Sequence, residues 1–281
     1  MQTEDQLKAL VKEKYAEIAL QDKDSNAASC CGASGCSTEV YNIMSEDYDQ
    51  LEGYNPDADL GLGCGLPTQF AKIKKGDTVI DLGSGAGNDA FVARHETGET
   101  GRVIGIDFTP AMIEKARVNA DLRGFNNVEF REGDIEKMPV TSNIADVIVS
   151  NCVLNLVPNK KAVFAEIFRV LKPGGHFSIL DIVLEGTLPS NIQQAAEMYA
   201  GCVSGAIQKN EYMQLIEATG FEQITIQKDK TIIIPDDILQ QYLNAEDIAI
   251  FKSSGSRITS ITVYAEKPAV AKACCGTDCC N

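Results

Sequence analysis

The sequence predicts an α/β fold, a parallel sheet with helices on both faces. Three observations predict it. From about residue 77, short apolar runs alternate with amphipathic stretches, which is how strands and crossover helices read. A glycine-rich turn, Asp81-Leu-Gly83-Ser-Gly85-Ala-Gly87, stands directly between the first such run and the first such helix. The 281 residues are 44% hydrophobic and 23% charged, an ordinary composition for a globular chain with one large core and room for an appendage.

In chain order, residues 4–20 form an amphipathic helix with Leu7, Leu10, Val11, Tyr15 and Ile18 on one face. Thr3 and Gln6 make its capping box. Residues 22–29 are a polar loop, and 41–75 read as irregular, with Gly53, Pro56 and a glycine-rich stretch at 61–67. Thr78–Leu82 is the first strand and Arg102–Asp107 the second. Pro110 opens a helix to about Arg123, since proline suits a first turn and Met112, Ile113 and Ala116 share a face. Val128–Arg131 and Ala145–Ser150 are the third and fourth strands. Residues 159–171 are a helix with Val163, Phe164, Ile167, Val170 and Leu171 at helical spacing. Pro173-Gly-Gly175 is a tight turn into a fifth strand, Phe177–Val183. Beyond 185, Asn191–Ala200 and Glu211–Ala218 read as helices, Thr225–Gln227 and Ile258–Glu266 as strands. The expected organisation is an N-terminal helix and cysteine-bearing segment (1–69), a ligand-binding α/β domain (70–185), a region completing the sheet and roofing the cleft (186–267), and a cysteine-rich tail (268–281).

Composition excludes several functions. Twenty-five basic against forty acidic side chains give a net charge of −15, which disfavours nucleic acid and anionic membranes as partners. No run approaches the roughly 18 apolar residues of a membrane span. The polar, acidic start, Met1 to Gln6, does not read as a secretory signal, so a cytoplasmic location is expected. The ten cysteines are clustered: Cys30, Cys31 and Cys36 near the start, Cys274, Cys275, Cys279 and Cys280 at the end, and Cys64, Cys152 and Cys202 singly between. In a reducing compartment such thiols bind soft ions or do redox chemistry rather than form a disulfide framework. With only His95 and His176 present, histidine-based acid–base machinery and Cys₂His₂ zinc sites are disfavoured.

The glycine turn narrows the ligand. A dinucleotide fingerprint needs Gly-x-Gly-x-x-Gly/Ala, and here the last position is Asn88. No Gly-Lys-Ser/Thr follows, so it is not a P-loop either. Asp107, twenty residues past Gly87 at the end of the second strand, suits a ribose diol. Asp134, in Gly133-Asp-Ile-Glu136 after the third strand, suits an exocyclic amine. A cleft with several carboxylates and no phosphate-binding lysine fits a cationic nucleoside, and S-adenosylmethionine is such a ligand. Residues 70–185 resemble the class I, seven-stranded, Rossmann-like S-adenosylmethionine methyltransferases, here with a C-terminal substrate-binding region. That resemblance implies a donor site built from Asp81, Gly83, Gly85, Gly87, Asp107, Phe108, Asp134, Ile135 and Asn151. Tyr48 and Tyr54 are further candidates, through aromatic contact with the sulfonium.

The acceptor is signalled by sulfur. Asn151-Cys152 follows the fourth strand, where ligands sit in open α/β sheets, so Cys152 is expected to face the donor's methyl group. Cys64 lies in the glycine-rich stretch before the domain, and Cys202 lies in Tyr199-Ala-Gly-Cys-Val-Ser-Gly205. Leu60-Gly-Leu-Gly-Cys-Gly-Leu-Pro-Thr68, Ser150-Asn-Cys-Val-Leu-Asn-Leu-Val-Pro158 and Tyr199-Ala-Gly-Cys-Val-Ser-Gly-Ala206 together resemble the arsenite methyltransferase family over roughly residues 30–225. The resemblance implies stepwise methylation of trivalent arsenic, arriving as arsenite or methylarsenite thiol complexes. It implies Cys152 and Cys202 as arsenic ligands, Cys64 as a third thiol, and Cys31 or Cys30 as the disulfide partner of Cys64, Cys31 being preferred. It also implies a thiol reductant of glutathione or thioredoxin type. The pairs Cys274-Cys275 and Cys279-Cys280 would collect arsenite or other soft ions, or be dispensable. The chemistry agrees: trivalent arsenic is thiophilic, and its lone pair accepts a methyl group without a general base. Two other readings stand beside this one: a methyltransferase for a small quinone-type acceptor, since Leu171-Lys-Pro-Gly-Gly175 is widespread in such folds, and a non-catalytic thiol sink for soft metals.

Overall fold

The computed structural model describes residues 3–21, 48, 50–194 and 205–269. Cys30, Cys31, Cys36, Cys202 and the four C-terminal cysteines lie outside the described residues. The elements in order are α1 (Glu4–Ala19), a 3₁₀ turn (Pro67–Phe70), β1 (Thr78–Leu82), α2 (Asn88–Thr97), β2 (Arg102–Asp107), α3 (Pro110–Leu122), β3 (Val128–Glu132), β4 (Ala145–Asn151), α4 (Lys160–Val170), β5 (Leu171–Glu185), α5 (Ser190–Gln194), α6 (Lys209–Thr219), β6 (Glu222–Ile232), α7 (Asp236–Leu239), α8 (Ala245–Ser253) and β7 (Arg257–Glu266). Short 3₁₀ turns follow β3 and β4, at Ile135–Lys137 and Leu154–Leu156.

One seven-stranded sheet carries them, in the order β3-β2-β1-β4-β5-β7-β6. The strands from β3 to β5 are parallel, while β7 runs antiparallel between β5 and β6. Val79, Ile80, Leu82, Val147, Ile148 and Val149 are buried on both faces of the sheet. Continuous apolar runs of this kind are what a parallel strand covered on two sides requires. The chain winds outward from β1 through β2 to β3, then returns to place β4 on the other side of β1. The carboxyl ends of β1 and β4 therefore flank the point where the winding reverses, the place where such sheets open a crevice.

Local chemistry fixes the helices on this sheet. Thr3 and Gln6 exchange both bonds of the capping box at the start of α1. The Lys115 ammonium satisfies the carbonyls of Ala19 and Gln21 at its other end, at 3.1 and 2.9 Å. Pro110 occupies the first turn of α3, as its fixed φ favours. Phe164 of α4 meets Phe177 of β5 and Tyr212 of α6 on one face. On the other, Phe91 of α2 packs edge-on against Phe130 of β3, with centroids 5.9 Å apart.

The structure departs from the sequence expectation at Pro173-Gly-Gly175. The expected turn is an irregularity within β5: Leu171 pairs with Ala145, and the next register pair is His176 with Val147. Gly174, at φ +80°, lets the extra residues loop out, and it donates to the Lys267 carbonyl at 2.9 Å, so the loop stays attached to the sheet. β6 is longer than expected, and α7 and α8 were not expected at all. Of the helix expected at Asn191–Ala200, the described part is α5, and the remainder lies outside the described residues. No helix among the described residues is long and apolar enough to cross a membrane.

Phe91 lies under the glycine turn and is fully buried. Phe91→Ala is expected to cost about 3–5 kcal/mol, the range for deleting a buried ring. Urea unfolding of the two proteins measures this; a loss under 1 kcal/mol would mean the ring is not part of the packed support.

Candidate active site

β1 delivers Asp81 to the centre of the sheet's carboxyl edge, in register with Gly105 of β2 and Val149 of β4. The turn that follows is pinned from below, because the N–H groups of Gly83 and Ser84 both donate to the Ile106 carbonyl, at 2.7 and 3.0 Å. Gly83 has φ +67°, and a Cβ there would stand 2.4 Å from Val153, so only glycine fits. Gly87 has φ +101° and caps α2, and a Cβ there would stand 2.8 Å from the Phe130 ring. Asp107 at the end of β2 braces the turn. One of its oxygens accepts from Gly85 N–H at 3.0 Å and the other from Thr109 N–H at 2.8 Å.

The carboxylates gathered here are buried, and burial raises their pKa values. Asp81 is pushed well up, first by burial and then by the charges of Asp89 and Asp107. Asp107 is also raised by burial, against the pull of its backbone donors. Asp89, in the first turn of α2, is raised to about 6 by burial although Asn151 and Tyr48 donate to it. One oxygen of Asp81, one of Asp89, the Ser84 hydroxyl and the Asn88 carbonyl oxygen are buried without a hydrogen-bond partner. Unpartnered buried acceptors beside crowded carboxylates make a site for a cation that brings its own donors.

Asn151, the last residue of β4, joins this pocket to sulfur. Its Oδ1 accepts from Cys64 N–H at 3.1 Å. Its Nδ2 donates to the Gly65 carbonyl at 2.8 Å and to Asp89 Oδ2 at 3.0 Å. Tyr48 Oη lies against the same groups, 2.9 Å from Asp89 Oδ2 and from the Gly65 carbonyl. Cys152 follows at φ +60°, a left-handed conformation that costs a non-glycine residue about 1–2 kcal/mol. Its N–H is held by the Leu180 carbonyl at 2.8 Å. The Cys64 and Cys152 sulfurs are bonded as a disulfide, with Cα atoms 6.0 Å apart and both residues buried. Cys64 thus has Cys152 as its partner here, not an N-terminal cysteine. The cause is local: Asn151 staples the irregular Gly63–Gly65 segment beside the residue that follows it. Cys31 and Cys202 lie outside the described residues.

A cleft of about 1070 Å³, counted out to its mouth, runs along this edge. Asp81, the residues from Gly83 to Ala86, Asp107, Phe108, Asp134, Ile135, Asn151 and Cys152 line it, and Gly87 caps the helix behind. The expected donor-site residues therefore share one crevice. Cys64 meets the cleft through its bond to Cys152. Asp134 has a further engagement: the Lys8 ammonium of α1 sits 2.7 Å from its Oδ2 and also pairs with Glu136. Lys8, Val11 and Tyr15 make α1 one wall of the cleft. Sequence reasoning missed Asp89, Lys8 and this use of α1. Asp89 had a readable signal, an acid in the first turn after a glycine turn; Lys8 had none, because its partners are 126 and 128 residues away. Both histidines are used elsewhere. His176 Nε2 lies 2.6 Å from the Ala71 carbonyl, and His95 pairs with Glu52 at 2.8 Å. Among the described residues no group of three or more His, Cys, Asp or Glu is arranged to hold a metal ion.

A family model described as a methyltransferase domain matches residues 73–220. The chain is 38% identical to an arsenite methyltransferase of Halobacterium salinarum, over 94% of its own length and 68% of the relative's. The chain belongs to the arsenite methyltransferase family. It is an S-adenosylmethionine-dependent methyltransferase with the class I seven-stranded fold. An arsenite methyltransferase of Aquipseudomonas alcaligenes is 31% identical, over 83% of this chain and 67% of that one. Among solved structures, an arsenic(III) S-adenosylmethionine methyltransferase from Chlamydomonas reinhardtii superposes with a TM-score of 0.62 at 33% identity, covering 73% of this chain and 68% of that one. In this arsenite methyltransferase family member the unpartnered acceptors fit the donor. Asp81, Asp89 and Asp107 would face its cationic and hydroxyl groups, and Asp134 and Ile135 would lie toward the base.

The sign of the pH dependence follows from Asp89. Its folded pKa, about 6, stands above its ordinary 3.8. Its protonation therefore stabilises the ligand-free fold below about pH 4, and that contribution is lost as pH rises through about 6. In Asp89→Asn, the fall in stability between pH 4 and 7 is expected to shrink by roughly 1–3 kcal/mol. S-adenosylmethionine should bind the wild type more tightly at pH 7 than at pH 5, with proton release. Equal unfolding slopes in the two proteins, or donor affinity flat with pH, would contradict the assignment.

Proposed function

We propose that this enzyme methylates trivalent arsenic, arsenite and then methylarsenite, held by Cys64, Cys152 and Cys202 as thiolates. One observation carries the reading: two buried sulfurs meet on the wall of a cleft whose acids await a cation, and both histidines are engaged elsewhere. Soft thiolates are natural ligands for trivalent arsenic and poor partners for a quinone-type acceptor. The arsenite and arsenic(III) methyltransferases to which the chain is similar point to the same substrate. A pure thiol sink would have no use for the glycine turn and its acids.

Reduction of the Cys64–Cys152 disulfide by two external thiols, of glutathione or thioredoxin type, opens the site as two cysteine thiols and one external disulfide. The thiols displace the carrier thiols from arsenic, each taking one As–S bond and returning one carrier S–H. Bound S-adenosylmethionine would supply an electrophilic methyl group, which the arsenic lone pair takes as the methyl–sulfur bond breaks and its electron pair stays on the neutral thioether that leaves. The carboxylate-lined wall orients the donor, and burial keeps water from the sulfurs. Orientation of this kind is worth up to about 7–11 kcal/mol in well-aligned systems. Methylated arsenic is then two electrons short of the trivalent state and carries a positive charge. Its bonds to Cys64 and Cys152 break, one S–S bond forms, the remaining pair returns to arsenic as its lone pair, and an external thiol takes the vacated position and gives its proton to solvent, which removes the charge. The bonded Cys64–Cys152 pair would be the closed end of that cycle. A cycle that must be reopened by thiols belongs in a reducing compartment, which places the protein in the cytoplasm, where it serves arsenic detoxification.

Incubation with S-adenosylmethionine, glutathione and arsenite should yield methylated arsenic, and enzyme reduced beforehand and then freed of thiol should make only about one equivalent of product. Cys64→Ser and Cys152→Ser are each expected to lose at least about 100-fold in turnover while binding the donor within two-fold of wild type. Full turnover in Cys152→Ser would remove the thiolate reading. The vicinal cysteines of the tail would collect arsenite for the site. Deletion of residues 268–281 should then raise the arsenite KM severalfold and leave kcat alone, and an unchanged KM means the tail takes no part.

A further inference from the structure

α1 lies across the crevice, against α3 on one side and the Leu154–Leu156 turn on the other, and its two ends are held in different ways. At the C-terminal end Ile18 and Ala19 are buried, in one apolar cluster with Ala86 of the glycine turn and Met112 of α3. The Lys115 ammonium, bonded to the Ala19 and Gln21 carbonyls, fixes the same end. Midway, Val11 is buried in a cluster with Cys64, Cys152 and Leu156. Residues 4–10, the first two turns, bury no side chain. What ties that end across the cleft is Lys8. Its ammonium stands 2.7 Å from Asp134 Oδ2 and also pairs with Glu136 Oε2. Lys12, one turn further on, reaches Glu132 only at 4.0 Å.

The turn that receives Lys8 aims both carboxylates at it. Asp134 Oδ1 accepts from Glu136 N–H at 2.9 Å, and Glu136 Oε1 accepts from Asn159 N–H at 3.0 Å. The second oxygen of each is the one that meets the ammonium. Asp134 Oδ2 is also the oxygen that the exocyclic amine of a base lying toward Asp134 would need. Lys8 can yield that oxygen without leaving the turn, because Glu136, whose side chain is only 16% exposed, still holds it. Partly exposed ion pairs contribute little to stability, so the position of this one at the cleft counts for more than its energy. We propose that Lys8 is a positioning residue for the donor: it fastens the N-terminal half of α1 over the bound nucleoside and sets how fast the nucleoside leaves. Exchange requires that half to swing off the turn. Closure returns Lys8 to Glu136 while Asp134 takes the base amine. The proposal rests on the placement of the donor in this crevice, with Asp134 toward the base, and is independent of the acceptor.

The test probe is S-adenosylhomocysteine, the donor without its methyl group and sulfonium charge, so that salt acts on the fastening and not on a sulfonium. Wild type, Lys8→Met and Lys8→Arg are loaded with labelled probe. Its release is followed in a chase with unlabelled probe at about 0.05 and about 0.5 M salt, and thermal melting of each protein checks the fold. At low salt Lys8→Met is expected to release the probe about five-fold faster than wild type, and Lys8→Arg, which keeps the charge, within about two-fold of wild type. The higher salt should speed release from wild type about three-fold and leave Lys8→Met nearly unchanged. A folded Lys8→Met that releases at the wild-type rate overturns the proposal. So does equal acceleration by salt in wild type and Lys8→Met, since salt would then act elsewhere. Wild-type release indifferent to salt also overturns it, and that measurement needs no variant, so it decides alone if Lys8→Met does not fold. Wild type that binds no probe takes down the donor site and this proposal together, whereas tight binding with exchange unaffected by Lys8 takes down only the fastening.

Discussion

The side-chain amide of Asn151 joins the two halves of the site, and most of the local arrangement depends on it. It satisfies the backbone of the segment that carries Cys64 through Cys64 and Gly65 and donates to Asp89, the carboxylate in the first turn of α2. An amide is suited to the position because it offers an acceptor and two donors on one rigid plane. An aspartate would add a fourth charge to a crowd already pushed toward protonation, and a leucine would strand the buried groups it now serves. Because Asn151 directly precedes Cys152, the same side chain that steadies the donor wall sets the distance between the two sulfurs.

The acids have a second consequence. Several buried carboxylates with raised pKa values are unfavourable in the ligand-free fold. A cation relieves that, and a neutral molecule of similar shape relieves it less. The donor carries a sulfonium charge that is lost on transfer of its methyl group. In the proposed reading the wall formed by Asp81, Asp89 and Asp107 would favour the charged substrate form of the nucleoside over the neutral product form, which would help the spent nucleoside leave. Lys8 at the mouth acts in the same economy, neutralising Asp134 and Glu136 where they would otherwise add to the repulsion.

How much of this was legible in the sequence follows from the range of each interaction. β1, β2 and α3 read off nearly to the residue because a short apolar run, a glycine or a proline marks their ends. The crevice residues were legible for the same reason, since they sit at strand ends fixed by topology. α7 and α8 were missed because they are short and weakly amphipathic, although Asn244 capping Asp247 was a readable signal. The looped-out residues of β5 were misread as a turn because Pro-Gly-Gly chemistry is the same in both; the antiparallel neighbour β7, invisible locally, keeps them in the sheet. Lys8 could not be found from spacing, since it acquires its meaning from partners brought together only by the fold, whereas Asp89, an acid in the first turn after the glycine turn, was legible and was passed over. The expected N-terminal partner of Cys64 came from resemblance and not from geometry, and Asn151 supplies the geometry that favours Cys152.

The scarcity of histidine then becomes intelligible. A methyltransferase acting on oxygen or nitrogen must strip a proton as the nucleophile attacks, and its fold must hold a base at the crevice. Here both histidines are committed elsewhere, one to a backbone carbonyl and one to a surface glutamate. A crevice with cysteines in place of a base suits a nucleophile that already owns its electron pair. What such an acceptor needs from the protein is soft ligands at fixed spacing, a dry wall and a route for two electrons. In the proposed cycle the bonded pair Cys64–Cys152 would meet the first and the last of these with the same two atoms, and the oxidised pair would be the resting point that thiols reopen.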